Sequence, residues 1–328
     1  MNGAKRLFWA AACAASLAGG QRGHADVFGS GADSFEIDFV TIGSPGNLPD
    51  LSGGGLGAVP YAYRIGKYEI SEQMIEKANA QAALGITKDS RGPEKPATSV
   101  SWFEATRFVN WLNTSTGSPP AYKFDGSGNF QLWQPSDAGY DPNNLFRNKR
   151  AVYFLPSADE WYKAAYYDPR AGVYWDYPTG SNSPPVAVAG GTAAGTAVYN
   201  QDLPIGPADI MQAGGLSPFG TMAQGGNVGE WEETELDLEN NSVSALRGGR
   251  GGGWETTAFG LSNSSRSGGI PSSGFIGAGF RIVSVIPEPN TIALLIIGLS
   301  ALSRFGRQGR EKGGKRGGKR GRESIHPN

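Results

Sequence analysis

Few side chains in this chain are equipped for catalysis. Its one cysteine, Cys13, and its two histidines, His24 and His326, all lie near the ends. The interior therefore offers no thiolate nucleophile, no imidazole base and no histidine metal site. Carboxylates, lysines and tyrosines remain. One stretch, Gly225-Gly226-Asn227-Val228-Gly229-Glu230-Trp231, gathers oxygen donors. In an extended segment, residues two apart face the same way. Gly226, Val228 and Glu230 would then present two carbonyls and a carboxylate, a set that suits a hard cation such as calcium. The same spacing also describes a glycine-rich core turn with a solvated glutamate. A glycosidase-like carboxylate pair is the other chemical option. Its candidates are Glu230, Glu232, Glu233 and Glu235, although Glu232 to Glu239 also reads as an acidic solvated surface.

Two further segments follow in order, Arg247-Gly248-Gly249-Arg250-Gly251-Gly252-Gly253-Trp254 and Gly277-Ala278-Gly279-Phe280-Arg281-Ile282-Val283. Together the three segments resemble the Gly-Asn-Val-Trp-Glu-Trp, Arg-Gly-Gly-x-Trp and Gly-Phe-Arg elements of the formylglycine-generating-enzyme family, also called sulfatase-modifying-factor domains. The resemblance covers roughly residues 35–285. It implies an α+β fold that is irregular, loop-rich and C-type-lectin-like. Family enzymes oxidise a substrate cysteine through a cysteine pair reported to bind copper. Those positions fall here at about Thr256 and Leu261, so neither thiol chemistry nor copper is expected. Relatives that work at a histidine-bound iron are not expected either, because the interior holds no histidine. The family also implies a structural calcium held by Gly226, Val228 and Glu230. Its side-chain ligand three residues before Gly226 is Ala223 here, and the first motif Trp is Gly229. A second family cation site would map loosely near Asn200 and Asp209.

The elements that must position these residues are short. Residues 35–42 alternate apolar and polar and predict a strand, and Tyr61 to Ile70 predicts a second. Ser71 caps a helix running to about Leu84. Ser101 and Glu104 form a capping box before a Trp102, Ala105, Val109, Leu112 stripe. Thr114 to Arg150 is polar and turn-rich and predicts a surface excursion. Ser157 and Glu160 form another capping box, before a helix to about Tyr167. Ser262–Gly274 is a Gly/Ser loop suited to contacts with a partner.

The ends read as addresses. Lys5 and Arg6 precede an apolar run from Leu7 to Ala18, and small residues follow. This predicts a signal peptide over residues 1–25, cut after Ala25. The domain then spans 26–286. Pro287-Glu288-Pro289, an apolar stretch from Thr291 to Leu302 and nine basic residues between Arg304 and Arg322 follow. That order resembles a bacterial PEP-CTERM sorting signal over 287–310, with a short transmembrane helix and a basic disordered tail over 311–328. It implies transient inner-membrane insertion, processing by an exosortase and release to the cell surface or extracellular matrix of a Gram-negative-type bacterium. Residues 26–303 carry a net charge of −11 and should repel nucleic acid. The expected role is an exported, non-catalytic binding or structural module for extracellular polysaccharide or a surface protein. A carboxylate-based hydrolase of such a polysaccharide is the alternative.

Overall fold

The computed structural model describes residues 24–286. Five strands form the first sheet: β1 (His24–Phe28), β2 (Phe35–Ile42), β3 (Tyr63–Gly66), β4 (Tyr153–Phe154) and β9 (Val283–Val285). Their order is β1-β2-β3-β9-β4, with antiparallel neighbours throughout. The alternation in β2 works as the sequence predicts. Phe35, Ile37 and Phe39 are buried while Glu36 and Asp38 are exposed. The second predicted strand is shorter than its apolar run, because the chain turns away after Gly66.

Three helices cover this sheet and the core: α1 (Glu72–Ala82), α2 (Trp102–Ser115) and α3 (Ala158–Tyr166). Each predicted cap forms. The Ser71 hydroxyl accepts from the Met74 N–H, and both capping boxes, Ser101/Glu104 and Ser157/Glu160, are closed in both directions. α2 buries Trp102, Ala105, Phe108, Val109 and Leu112 against the sheet residues Phe35, Ile65 and Val283. Phe108, Val109 and Leu112 each contribute about 1.5–3 kcal/mol by leaving water, and the single methyl of Ala105 contributes less.

The segment after α2 is not a surface excursion. Its turns are exposed, but Tyr122, Phe130 and Phe146 are buried. Their rings stand 5.6, 5.1 and 5.9 Å from the Trp102 ring, each edge-on. Polar turn residues such as Asp125 and Asn129 outnumber these anchors, so average composition hides them.

A second sheet carries the motif residues: β5 (Gly229–Glu235), β6 (Arg247–Arg250), β7 (Ser267–Gly269) and β8 (Ala278–Gly279). Its order is β7-β6-β5-β8, with β5 and β8 parallel. The expected signal-peptide junction falls inside β1, between Ala25 and Asp26. Asp26 itself pairs with Arg64 at 2.6 Å and accepts from the Tyr153 hydroxyl at 2.9 Å. No helix among the described residues is long and apolar enough to cross a membrane. The predicted apolar stretch from Thr291 to Leu302 and the basic tail lie outside the described residues.

One charge in α3 is left without a carboxylate. Lys163 is buried, and its Nζ donates to the Ser44 carbonyl at 2.9 Å. Burial lowers its pKa to about 8. Below that value both folded and unfolded states hold the proton, and the folded state carries the penalty of a buried ammonium. From pH 8 upward the unfolded state binds more protons, so stability must rise. Urea midpoints should therefore increase from about pH 8 to about pH 10, where tyrosine ionisation takes over. Lys163→Met should abolish that rise and be the more stable protein at pH 7. A midpoint that falls through this window in the parent protein would contradict the assignment.

Candidate functional site

The Gly-Asn turn that precedes β5 is bent, not extended. Gly226 has φ +91° and Asn227 φ +61°. A Cβ at Gly226 would stand 2.3 Å from the Val198 carbonyl oxygen, so only glycine fits. Asn227 fastens the turn on four sides. Its N–H donates to Val198, its carbonyl accepts from Trp254, its Oδ1 accepts from the Ala208 N–H, and its Nδ2 donates to Glu69. Glu69 is buried there, and burial together with the nearby Glu230 charge pushes its pKa well above the usual carboxylate range.

The two-residue alternation starts only at Gly229, so Gly226, Val228 and Glu230 do not form the predicted ligand row. Nor is the Glu230 carboxylate free. Its Oε2 accepts from Arg281 Nε at 2.6 Å and from Trp161 Nε1 at 2.7 Å, and its Oε1 accepts from Arg281 Nη2. The same guanidinium donates to the carbonyls of Gly66, Lys67 and Met222. Arg281 thus already sits inside an all-oxygen cage of one carboxylate and three carbonyls. A calcium ion held by Gly226, Val228 and Glu230 does not fit this arrangement. Asp209, placed in the second predicted site, is paired with Lys95 at 3.0 Å. Among the described residues no group of three or more His, Cys, Asp or Glu side chains is arranged to hold a metal.

The expected acidic surface is also corrected. Glu232, Glu233 and Glu235 are fully buried, and of the acidic residues in that run only Asp237 and Glu239 are exposed. Glu232 pairs with Arg250 at 3.0 Å and Arg266 at 2.7 Å. Glu233 pairs with Arg147 at 2.8 Å and accepts from the Tyr122 hydroxyl at 2.7 Å. Arg147 also reaches Glu160 at 3.2 Å. Glu235 faces Arg247 at 3.8 Å, where burial raises the carboxyl and lowers the guanidinium pKa to about 10. A register shift between Trp231 and Glu235 lets neighbouring glutamates enter the core together. The partners lie 12 to 86 residues away in sequence, as in the Glu235–Arg247 and Glu233–Arg147 pairs. No local pattern could have revealed them. The four candidate hydrolase carboxylates are thereby engaged as structural charges.

Beside Glu230 the second sheet opens into a cleft of about 280 Å³. Its walls are largely backbone, including Gly229, Gly249 and Gly269. A Cβ at Gly269 would lie 2.4 Å from the Trp231 ring and 2.7 Å from the Phe275 ring. Glycine there lets the two rings, 5.8 Å apart, form the apolar wall. Ser267 to Gly269, within the predicted contact loop, supplies another wall as strand β7. Thr256 lines the cleft and donates to the Gly253 carbonyl at 2.9 Å. Leu261 is fully buried, packed with Ala197 and Tyr199 in a separate small cluster. A hydroxyl and a buried alkyl chain are no ligands for the copper used by the cysteine-bearing relatives.

Residues 55–286 match the family described as the sulfatase-modifying factor enzyme 1-like domain. The chain belongs to this family. Treponema denticola variable protein 1 is similar in structure, with TM-score 0.56, 17% identity and coverage of 80% of this chain and 99% of that one. The structure titled "Crystal Structure of CarF" is similar at TM-score 0.54 and 20% identity, covering 76% of this chain and 99% of that one. At these identities the likeness establishes the fold: α+β, loop-rich and of the formylglycine-generating-enzyme type. No curated protein matches the sequence. In this sulfatase-modifying-factor domain the resemblance puts the cysteine pair at about Thr256 and Leu261, and residues 26–286 contain no cysteine.

Breaking the Glu230–Arg281 pair should cost about 3–5 kcal/mol, because a buried charge is left alone. Arg281→Met should therefore lower the urea midpoint strongly. The double variant Glu230→Leu/Arg281→Met should recover much of the loss. Calcium or EDTA should leave the midpoint of the parent protein unchanged, and a rise with calcium would overturn the cage assignment.

Proposed function

We propose that this chain is an exported, non-catalytic binding module that holds extracellular polysaccharide in the glycine-walled cleft. One observation carries the reading. The cleft beside Glu230 is open as a cavity and is lined by Thr256, near which the resemblance puts one cysteine of the family's pair, and no thiol lines it. Binding capacity is kept where redox chemistry is lost. The absence of histidine and cysteine from residues 26–286 supports the same reading. So does the pairing of every β5 glutamate with an arginine, which leaves no free general acid and base on that strand. Export and surface delivery rest on the signal-like N-terminus and the Pro-Glu-Pro, apolar and basic segments at the C-terminus.

The cleft itself provides the test. A Cβ at Gly249 meets nothing closer than 3.4 Å, so this wall position accepts a side chain, and Gly249→Val is the variant chosen to fill the cavity. The purified chain should bind its host's extracellular polysaccharide saturably and leave the polymer length unchanged. Gly249→Val should weaken that binding by about tenfold or more, which is roughly 1.4 kcal/mol, at an unchanged melting temperature. Shortened polymer would favour the hydrolase instead, and conversion of a peptide cysteine to formylglycine would sink the non-catalytic reading. Processing has its own check. Replacing Pro287-Glu288-Pro289 with alanines should hold the chain in the membrane fraction of the host, whereas the parent protein is released.

A further inference from the structure

One charged group in the cleft is left over. Glu255 is exposed on its wall. A Cβ at Gly277 would come within 2.7 Å of its Oε1, and one at Gly253 within 2.5 Å of its Oε2. The carboxylate therefore occupies the space these two glycines leave open. Unlike the β5 glutamates, it forms no ion pair among the described residues. Arg250, on the same cleft, is committed to Glu232 and to the carbonyls of Asn263 and Ser265. Its only carboxylate partner among the described residues is Glu232, and it forms no ion pair with Glu255.

The rest of the lining is equally selective. Phe275 is 43% exposed and presents its ring beside the buried Trp231. Thr256 and Ser267 spend their hydroxyl protons on the carbonyls of Gly253 and Gly249, so their oxygens remain as acceptors. The cleft thus combines an uncompensated carboxylate, acceptor hydroxyls and an aromatic face. It does so in a region of net charge −11. A polyanionic polymer would be repelled. A neutral sugar would leave the carboxylate unused. The matching chemistry is a sugar ring, whose C–H face packs on an aromatic side chain, bearing a free ammonium that a carboxylate can hold. A cavity near the lower end of the range for ligand clefts, about 300–1,000 Å³, suits a ring of that size.

Building on the polysaccharide reading of this cleft, we propose that it selects free amino sugars, with the ammonium of an unacetylated glucosamine unit on Glu255 and its ring against Phe275. Calorimetry of the full chain with glucosamine oligomers, at mildly acidic pH where the amine is charged, tests this. Parallel titrations use N-acetylglucosamine oligomers of equal length and oligoglucuronate. Glucosamine oligomers should bind about tenfold or more tighter than the acetylated ones, with an affinity that falls as salt rises. Glu255→Gln, an exposed and isosteric change, should erase that preference without moving the melting temperature. Phe275→Ala should weaken both neutral and cationic oligomers. Equal or tighter binding of acetylated or anionic oligomers would overturn the amino-sugar assignment while leaving a polysaccharide cleft in place. A preference that survives both Glu255→Gln and Gly249→Val would belong to the acidic surface at large and would overturn it too. Failure of every oligomer also rejects it, and the host-polymer titration then decides separately whether the broader reading stands.

Discussion

Burying a charge is costly unless an opposite charge and hydrogen bonds answer it, and strand β5 buries four. Glu230, Glu232, Glu233 and Glu235 have fully buried side chains, each facing an arginine from another part of the chain. Taking such ions out of water costs several kcal/mol each, and only close, well-directed partners offset it. The requirement ties distant segments to one strand. Arg281 comes from the segment between β8 and β9, Arg147 from the loop before β4, Arg266 from the residue before β7, and Arg247 and Arg250 from β6. Several of these guanidinium groups also lie on aromatic rings. Arg147 stands 3.6 Å from the Phe154 centroid, and Arg247 stands 4.6 Å from that of Trp102. A fold with short helices and long loops is thereby held by directional contacts as well as by apolar burial.

The rungs of this ladder differ in quality. Glu230 has both oxygens occupied, and Glu233 adds Tyr122 and Asn144 to its arginine. At the far end, Glu235 Oε2 and Arg247 Nε find no hydrogen-bond partner among the described residues. The strand is therefore most tightly held next to the cleft and least tightly held near the exposed turn that follows it. Rigidity falls where a binding site needs it, because a fixed wall lowers the entropy lost when a ligand is ordered.

The cleft depends on the same scaffold. Its shape comes from glycine positions where backbone and rings approach too closely for a side chain, as at Gly269 against Trp231 and Phe275. Family membership and the Thr256 and Leu261 positions separate two properties that occur together in the cysteine-bearing enzymes. The scaffold persists through packing and buried ion pairs, whereas the redox chemistry required two particular sulfur atoms. None of the buried ion pairs on β5 involves Thr256 or Leu261, so the scaffold does not depend on the residue type at either position.

Local order was written in the sequence. The β2 alternation, the Ser71 cap, both capping boxes and the three glycine-containing motifs depend on residues a few positions apart. That residues 26–286 hold no cysteine and no histidine is likewise read from their identities alone. Tertiary structure decided the rest. The run from Glu232 to Glu235 reads as a solvated face until arginines up to 86 residues away arrive to neutralise it. Tyr122, Phe130 and Phe146 read as part of a polar excursion until Trp102 gathers them. The Gly226, Val228, Glu230 row reads as a cation site until Asn227 turns left-handed and Arg281 takes the carboxylate. Spacing reports which side chains share a face of one element, but the charge state and burial of a group depend on neighbours that only folding brings within reach.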